Sequence, residues 1–168
     1  MAVWVIRAGR MGENEEFALN EGVYSIGFSQ ERSVADFSDY ESLRDYIHRQ
    51  SEGLSLQQVA SQASQLWHFA HDMRGGEVVV LPRKRRKVIA VGRIVGEYVY
   101  CYVERRDESL APLPHTRKVG WLAKSVPLEN FDEGMQKSFK NSQSNVVRVR
   151  KTNSEARVEQ AIGAYIDD

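Results

Sequence analysis

A chain of 168 residues with 42% apolar and 27% charged side chains fits one globular domain, residues 1–168, with one core. Its single cysteine, Cys101, excludes an internal disulfide and a multi-cysteine metal site, and no apolar run approaches the roughly 20 residues that span a bilayer. The net charge is zero but polarised: residues 12–52 hold ten acidic against three basic side chains, and residues 74–124 hold twelve basic against five acidic. Such a chain can still turn a basic face to phosphates.

The start, Met-Ala-Val-Trp-Val-Ile-Arg, lacks the basic and apolar regions of a signal peptide, so a cytoplasmic location is the expectation. Residues 2–8 alternate around Trp4 and Ile6 and predict a strand, followed by a loop marked by Gly9, Gly12 and Asn14. "GVYSIGFS" (22–29) predicts a second strand. Residues 36–50 predict a helix, with Ser38 or Asp39 as its capping signal. A second helix is predicted over 55–73, its apolar stripe including Val59, Ala63, Leu66, Trp67 and Ala70, and Gly75-Gly76 stops it.

Strand character then dominates. "EVVVLP" (77–82) is apolar on both faces, which predicts a strand buried on both sides. "RKRRK" (83–87) reads as a basic turn. "VIAVGRIV" (88–95) follows, with Gly92 where a bend or close approach is useful. "GEYVYCYVE" (96–104) places Tyr98, Tyr100 and Tyr102 on one face. After a loop (105–114), strands are predicted over 115–124 and 145–150. A short helical stretch runs from Pro127 to Lys140, and a closing helix over 153–166 is capped by Asn153 or Ser154. Short strands mixed with helices predict an α+β fold, a small, strongly curved or closed mixed sheet with helices around it.

Catalytic machinery is hard to find. His68 and His71 lie three residues apart on a helix, whereas a zinc helix spaces its ligands by four and adds a glutamate. Cys101 has no histidine near it in sequence, and no serine stands in a nucleophile elbow. No Glu-x-Lys occurs, so the magnesium-binding set of a restriction-type nuclease is missing. The expectation is a protein without catalytic residues, metal or cofactor. A metal-dependent enzyme built on His68 and His71 stands as an alternative.

A binding site is better supported. Phe28, Trp121 and the tyrosines offer stacking surfaces. Arg83, Lys84, Arg85, Arg86 and Lys87, with Arg117 and Lys118, could track a phosphate backbone; Arg148, Arg150 and Lys151 are further candidates. Trp67, on an apolar helix face, reads as core.

The order of "VWVIRAG", "VYSIGF", "QLWHFAHDMRGGEVVVLP", "VIAVGRIVGEYVY", "LPHTRKVGWL" and "NVVRVR" resembles the N-terminal domain of Mrr-type, modification-dependent restriction endonucleases. Those domains are related to the EVE and YTH domains of the PUA-like superfamily. The resemblance implies a small mixed β-barrel flanked by helices that reads a modified base, 5-methylcytosine or 5-hydroxymethylcytosine, flipped out of double-stranded DNA into an aromatic cage. It implies Phe28 and Trp121 as cage aromatics, Ser29 and Arg7 as polar contacts to the base edge, and Tyr98 or Tyr100 completing the site. Many relatives carry tryptophan where this chain has Phe28. The expected setting is the specificity module of a restriction system with a fused or associated nuclease domain. A YTH-like RNA reader is the alternative.

Overall fold

The structure is a computed structural model that describes residues 1–28, 31–101, 113–140, 144–163 and 165–166. In chain order the elements are β1 (Val3–Ile6), α1 (Glu15–Glu21), β2 (Val23–Ile26), α2 (Tyr40–Gln50), α3 (Leu56–Trp67), β3 (Val78–Pro82), β4 (Val88–Ile94), β5 (Val99–Tyr100), β6 (His115–Pro127), α4 (Glu133–Lys140), β7 (Val146–Arg148) and α5 (Ser154–Ile162). The sheet runs β2-β6-β4-β3-β1-β7, with β5 paired to β6 off that path. It curls into a half-barrel with helices packed around it, the mixed α+β architecture expected.

Alternation along the central strands separates two cores. Trp4 and Ile6 of β1 and Val79 and Leu81 of β3 face one cluster with Leu43, Ile47, Leu66 and Phe69. Val3, Val5, Val78 and Val80 face the other, closed by Met135, Phe139, Val158 and Ile162 of α4 and α5. Every residue of β3 is buried, as its unbroken apolar run predicts. Each fully buried side chain of this kind contributes about 1.5–3 kcal/mol.

The curl depends on the 13-residue β6. Its first half pairs with β2 on one edge and β5 on the other, and its second half pairs with β4 through irregular register. Gly92 of β4 lies opposite Trp121. A Cβ there would fall 2.8 Å from Gly120 O and 3.0 Å from Trp121 Cε3, so the close approach read from the sequence is real. The path's two ends, β2 and β7, are joined by a side chain. The Tyr24 hydroxyl lies 2.8 Å from Arg7 O and 2.7 Å from Asn145 O.

Several local expectations change. α1 was not foreseen: its seven residues are too few for periodicity to stand out, and Gly22, at φ 64°, ends it in the left-handed conformation. The helix expected over 55–73 is α3 followed by a π-helical turn, His68–Asp72. Asp39 caps α2 reciprocally with Ser42, and Ser55 caps α3 with Gln58. Asn153 precedes α5 at φ 54° and makes no side-chain cap bond. Trp4, 1% exposed, is the tryptophan of the core. Trp67 only packs against the core's edge, half-buried between Tyr40 and His71. Among the described residues no helix is long and apolar enough to cross a membrane.

Candidate nucleic-acid interface

Residues at and beyond the ends of β1 and β2 line a cleft of about 510 Å³. Arg7, Gly9, Arg10 and Asn14 form one wall, Ser25, Ile26 and Gly27 another, and Lys84, Leu113 and Asn145 complete it. The glycine loop after β1 turns sharply, with Gly9 at φ 92° and Gly12 at φ 78°, which returns the chain to Asn14 and α1. Ser25 Oγ is 2.9 Å from Thr116 Oγ1 across the β2–β6 pair.

The cleft is positive. Arg7, Arg10 and Lys84 line it, and no carboxylate stands in its described walls. Two carboxylates lie just outside those walls: Glu13, which packs against Gly9 and accepts the Met11 N–H at 2.9 Å, and Glu15, which accepts from Arg83 Nε at 2.9 Å and from the Lys84 backbone N–H at 2.8 Å. Arg7 also donates to Phe139 O. Burial lowers the Arg7 pKa, opposed by Glu15 and Tyr24. The Asn14 Oδ1 is buried and accepts no hydrogen bond among the described residues.

Beside the cleft, Phe28, Tyr98 and Tyr100 gather around His115, which is fully buried. His115 Nε2 lies 2.6 Å from Phe28 O, and Nδ1 lies 2.7 Å from Tyr98 Oη. A carbonyl only accepts, so Nε2 carries a proton, and in the neutral ring Tyr98 then donates to Nδ1. Tyr98 Oη in turn accepts the Val34 N–H at 3.0 Å. Burial raises the Tyr98 pKa against that bond. Both tyrosine rings approach the His115 ring, at 5.9 and 5.6 Å, as their expected shared face requires. Ser29 and Tyr102 lie outside the described residues.

Trp121 stands elsewhere. Its indole N–H donates to Ala18 O at 2.9 Å and fastens α1 to the sheet. It is six residues along β6 from His115. Among the described residues Phe28 and Trp121 share no ring contact, and both pack against the same core cluster.

Two expected phosphate ligands are corrected. Arg83 is an interior residue, its side chain 6% exposed, paired with Glu15 and Glu16. Arg117 is 5% exposed and donates to Phe69 O, Ala70 O and Gly96 O at 2.7, 3.0 and 3.2 Å. It caps carbonyls left open at the end of the π turn, and burial lowers its pKa. Lys84 lines the cleft, while Arg85, Arg86, Lys87 and Lys118 are exposed. His68 Nδ1 sits 2.5 Å from Asp72 Oδ2, and the His71 ring lies 4.0 Å from that of Trp67. Among the described residues no group of three or more His, Cys, Asp or Glu could hold a metal ion.

Sequence reasoning missed Arg10, Asn14, Ser25, Asn145 and His115. The glycines around Arg10 were the available signal, since they place a backbone turn at a strand end, where ligand clefts form. Asn145 comes from a segment more than 100 residues away and carries no local signal.

A family model described as "Domain of unknown function (DUF8426)" matches residues 4–150, and no curated protein matches the chain. The matched span takes in β1 to β7 and every wall of the cleft, so the chain belongs to the DUF8426 family.

Proposed function

We propose that the domain is a binding module for a modified base in DNA, 5-methylcytosine or 5-hydroxymethylcytosine, received in the Arg7–Asn14–Gly27 cleft. The observation that carries this reading is the cleft itself. It joins three cations, two amides and a hydroxyl in about 510 Å³ without a carboxylate in its described walls. Small-ligand sites span roughly 300–1,000 Å³. Extruding a base costs a few kcal/mol, recovered by stacking and by hydrogen bonds to its edge. Asn14, Ser25 and Asn145 serve the edge, Arg10 and Lys84 the flanking phosphates. Phe28, next in the chain after the wall residue Gly27, supplies the stacking ring.

A half-barrel flanked by helices is compatible with a PUA-like reader. The chemistry is recognition, with hydrolysis left to a fused or associated nuclease. Trp121 drops out of the cage and acts by holding α1.

Fluorescence anisotropy on duplexes differing only in one cytosine, plain, methylated or hydroxymethylated, tests the reading. Tighter binding of a modified duplex is expected, and Arg10→Glu should weaken binding of all three duplexes alike while leaving the preference in place. Equal affinity for all three duplexes overturns it. Stronger binding of single-stranded RNA would replace it with an RNA reader.

A further inference from the structure

Arg74, Arg148, Arg150 and Lys151 are exposed, form no ion pair among the described residues, and line one groove of about 1010 Å³ between α3 and β7. Three arginines elsewhere are matched: Arg93 with Glu155 and Glu159, Arg157 with Asp132, Arg83 with Glu15 and Glu16. The groove's two carboxylates are already bound within the protein. Asp72 holds His68, and Glu77 accepts from Trp4 Nε1 and from the backbone N–H groups of Ala2 and Arg74. Four cations against these two carboxylates leave the groove with a net positive charge.

The groove's floor adds neutral donors. β7 ends the sheet path. The Arg7 N–H donates to Asn145 O, and the Val149 N–H donates to Val3 O, so the odd-numbered positions bond to β1. By antiparallel alternation, Val146 and Arg148 turn their N–H groups toward the open edge. On the opposite wall, Ser61 Oγ accepts from Gln65 Nε2 at 3.0 Å, which leaves its own proton to donate. Guanidinium forks, hydroxyls and backbone N–H groups together are the donors that phosphodiester oxygens take.

The groove also adjoins the cleft. Asn145 belongs to the cleft wall and its neighbour Val146 to the groove. On the cleft's other side Lys84 leads into the exposed turn of Arg85, Arg86 and Lys87. We infer that the α3–β7 groove binds the phosphodiester backbone of the nucleic-acid strand leaving the base cleft. This rests on the proposed function. The strand passes from the basic turn, across the cleft, into the groove. An acidic peptide adding to the β7 edge would use the same N–H groups, but continuity with the cleft and the arginine content favour phosphate.

The test is the triple variant Arg148→Ala, Arg150→Ala, Lys151→Ala, titrated with modified and plain duplexes over a range of salt, and separately with an oligoglutamate peptide. Affinity for both duplexes should fall about tenfold or more, with the salt slope reduced by about 2–3 and the modified-to-plain ratio unchanged. Wild-type affinity and slope in the variant would overturn the groove and leave the base reading standing. A wild-type protein without preference for modification, whose duplex affinity still falls in the variant, would support the groove and sink the base reading. Oligoglutamate binding that the variant loses while duplex binding stays would overturn the groove in favour of strand addition. No duplex binding by the wild type overturns both.

Discussion

Arg83 Nε donates to Glu15 Oε1 at 2.9 Å, and each of the two side chains is only 6% exposed. The pair ties the start of α1 to the end of β3. Because Glu15 Oε2 also accepts the Lys84 N–H at 2.8 Å, it fixes the second residue of the basic turn as well. Removing one partner of a buried pair strands the other charge, at about 3–5 kcal/mol. Arg83→Ala should therefore lower urea stability by that order. Wild-type stability in this variant, with a reduced salt slope for DNA, would return Arg83 to the phosphate ligands.

The three tryptophans should separate by surroundings. Trp4→Ala should cost about 3–5 kcal/mol, as for a buried aromatic. Trp67→Ala should cost only about 1–2 kcal/mol, because the ring is half-buried against Tyr40 and His71. Trp121→Phe keeps most of the packing but removes the bond to Ala18 O, at about 1 kcal/mol. Chemical unfolding ranks the three. A Trp121→Phe protein of unchanged stability that has lost its preference for modified DNA would restore Trp121 to the cage.

The central sheet was legible because its strands carry unbroken apolar runs, and β3 and β4 lie where those runs are. α1 was not, since about two turns of helix leave too little periodicity. The two arginine errors share a cause. Arg83 and Arg117 sit within basic stretches, "RKRRK" and "HTRKV", and local composition cannot distinguish an arginine facing solvent from one facing buried carbonyls or carboxylates. That distinction depends on Glu15, Phe69 and Ala70, which are distant in sequence. For the site, Arg7 was found from the resemblance and Lys84 from its charge. Asn145 is brought to the cleft only by the pairing of β7 with β1.

Asp132 predicts an acid limb of stability. Hydrogen bonding from the Arg157 guanidinium, then from the Met135 N–H, lowers its pKa to about 2. The unfolded carboxyl titrates near 3.9. The depressed folded value means the stabilisation is present above that range and is lost as pH falls toward about 2. The side chain is 44% exposed, so solvent screening holds the effect below about 1 kcal/mol. Asp132→Asn keeps an acceptor for Met135 but loses the charge. Its urea midpoint should fall less between pH 5 and pH 2.5 than the wild type's. Glu155, lowered by the N-terminal ammonium and Arg93, keeps the same direction in both proteins. Parallel curves for the two would remove Asp132 from the account.

Tyr24 closes the curl. It is 1% exposed, and burial pushes its phenol well above the usual range, so it remains a proton donor. Its one proton serves Arg7 O and Asn145 O, which belong to the adjacent ends of β1 and β7, while Tyr24 itself lies on β2 at the far end of the sheet path. Tyr24→Phe keeps the ring's edge contact with Phe69 but leaves two carbonyls without their shared donor. The cost should be about 1–3 kcal/mol. The change should concentrate at the seam, because the Arg7 N–H donates to Asn145 O at 3.0 Å and both residues line the cleft. Hydrogen exchange of the Arg7 amide should accelerate more than that of the β3 amides, and modified-base affinity should fall with it. Uniform acceleration across the sheet would instead make Tyr24 an ordinary core residue with no particular hold on the cleft.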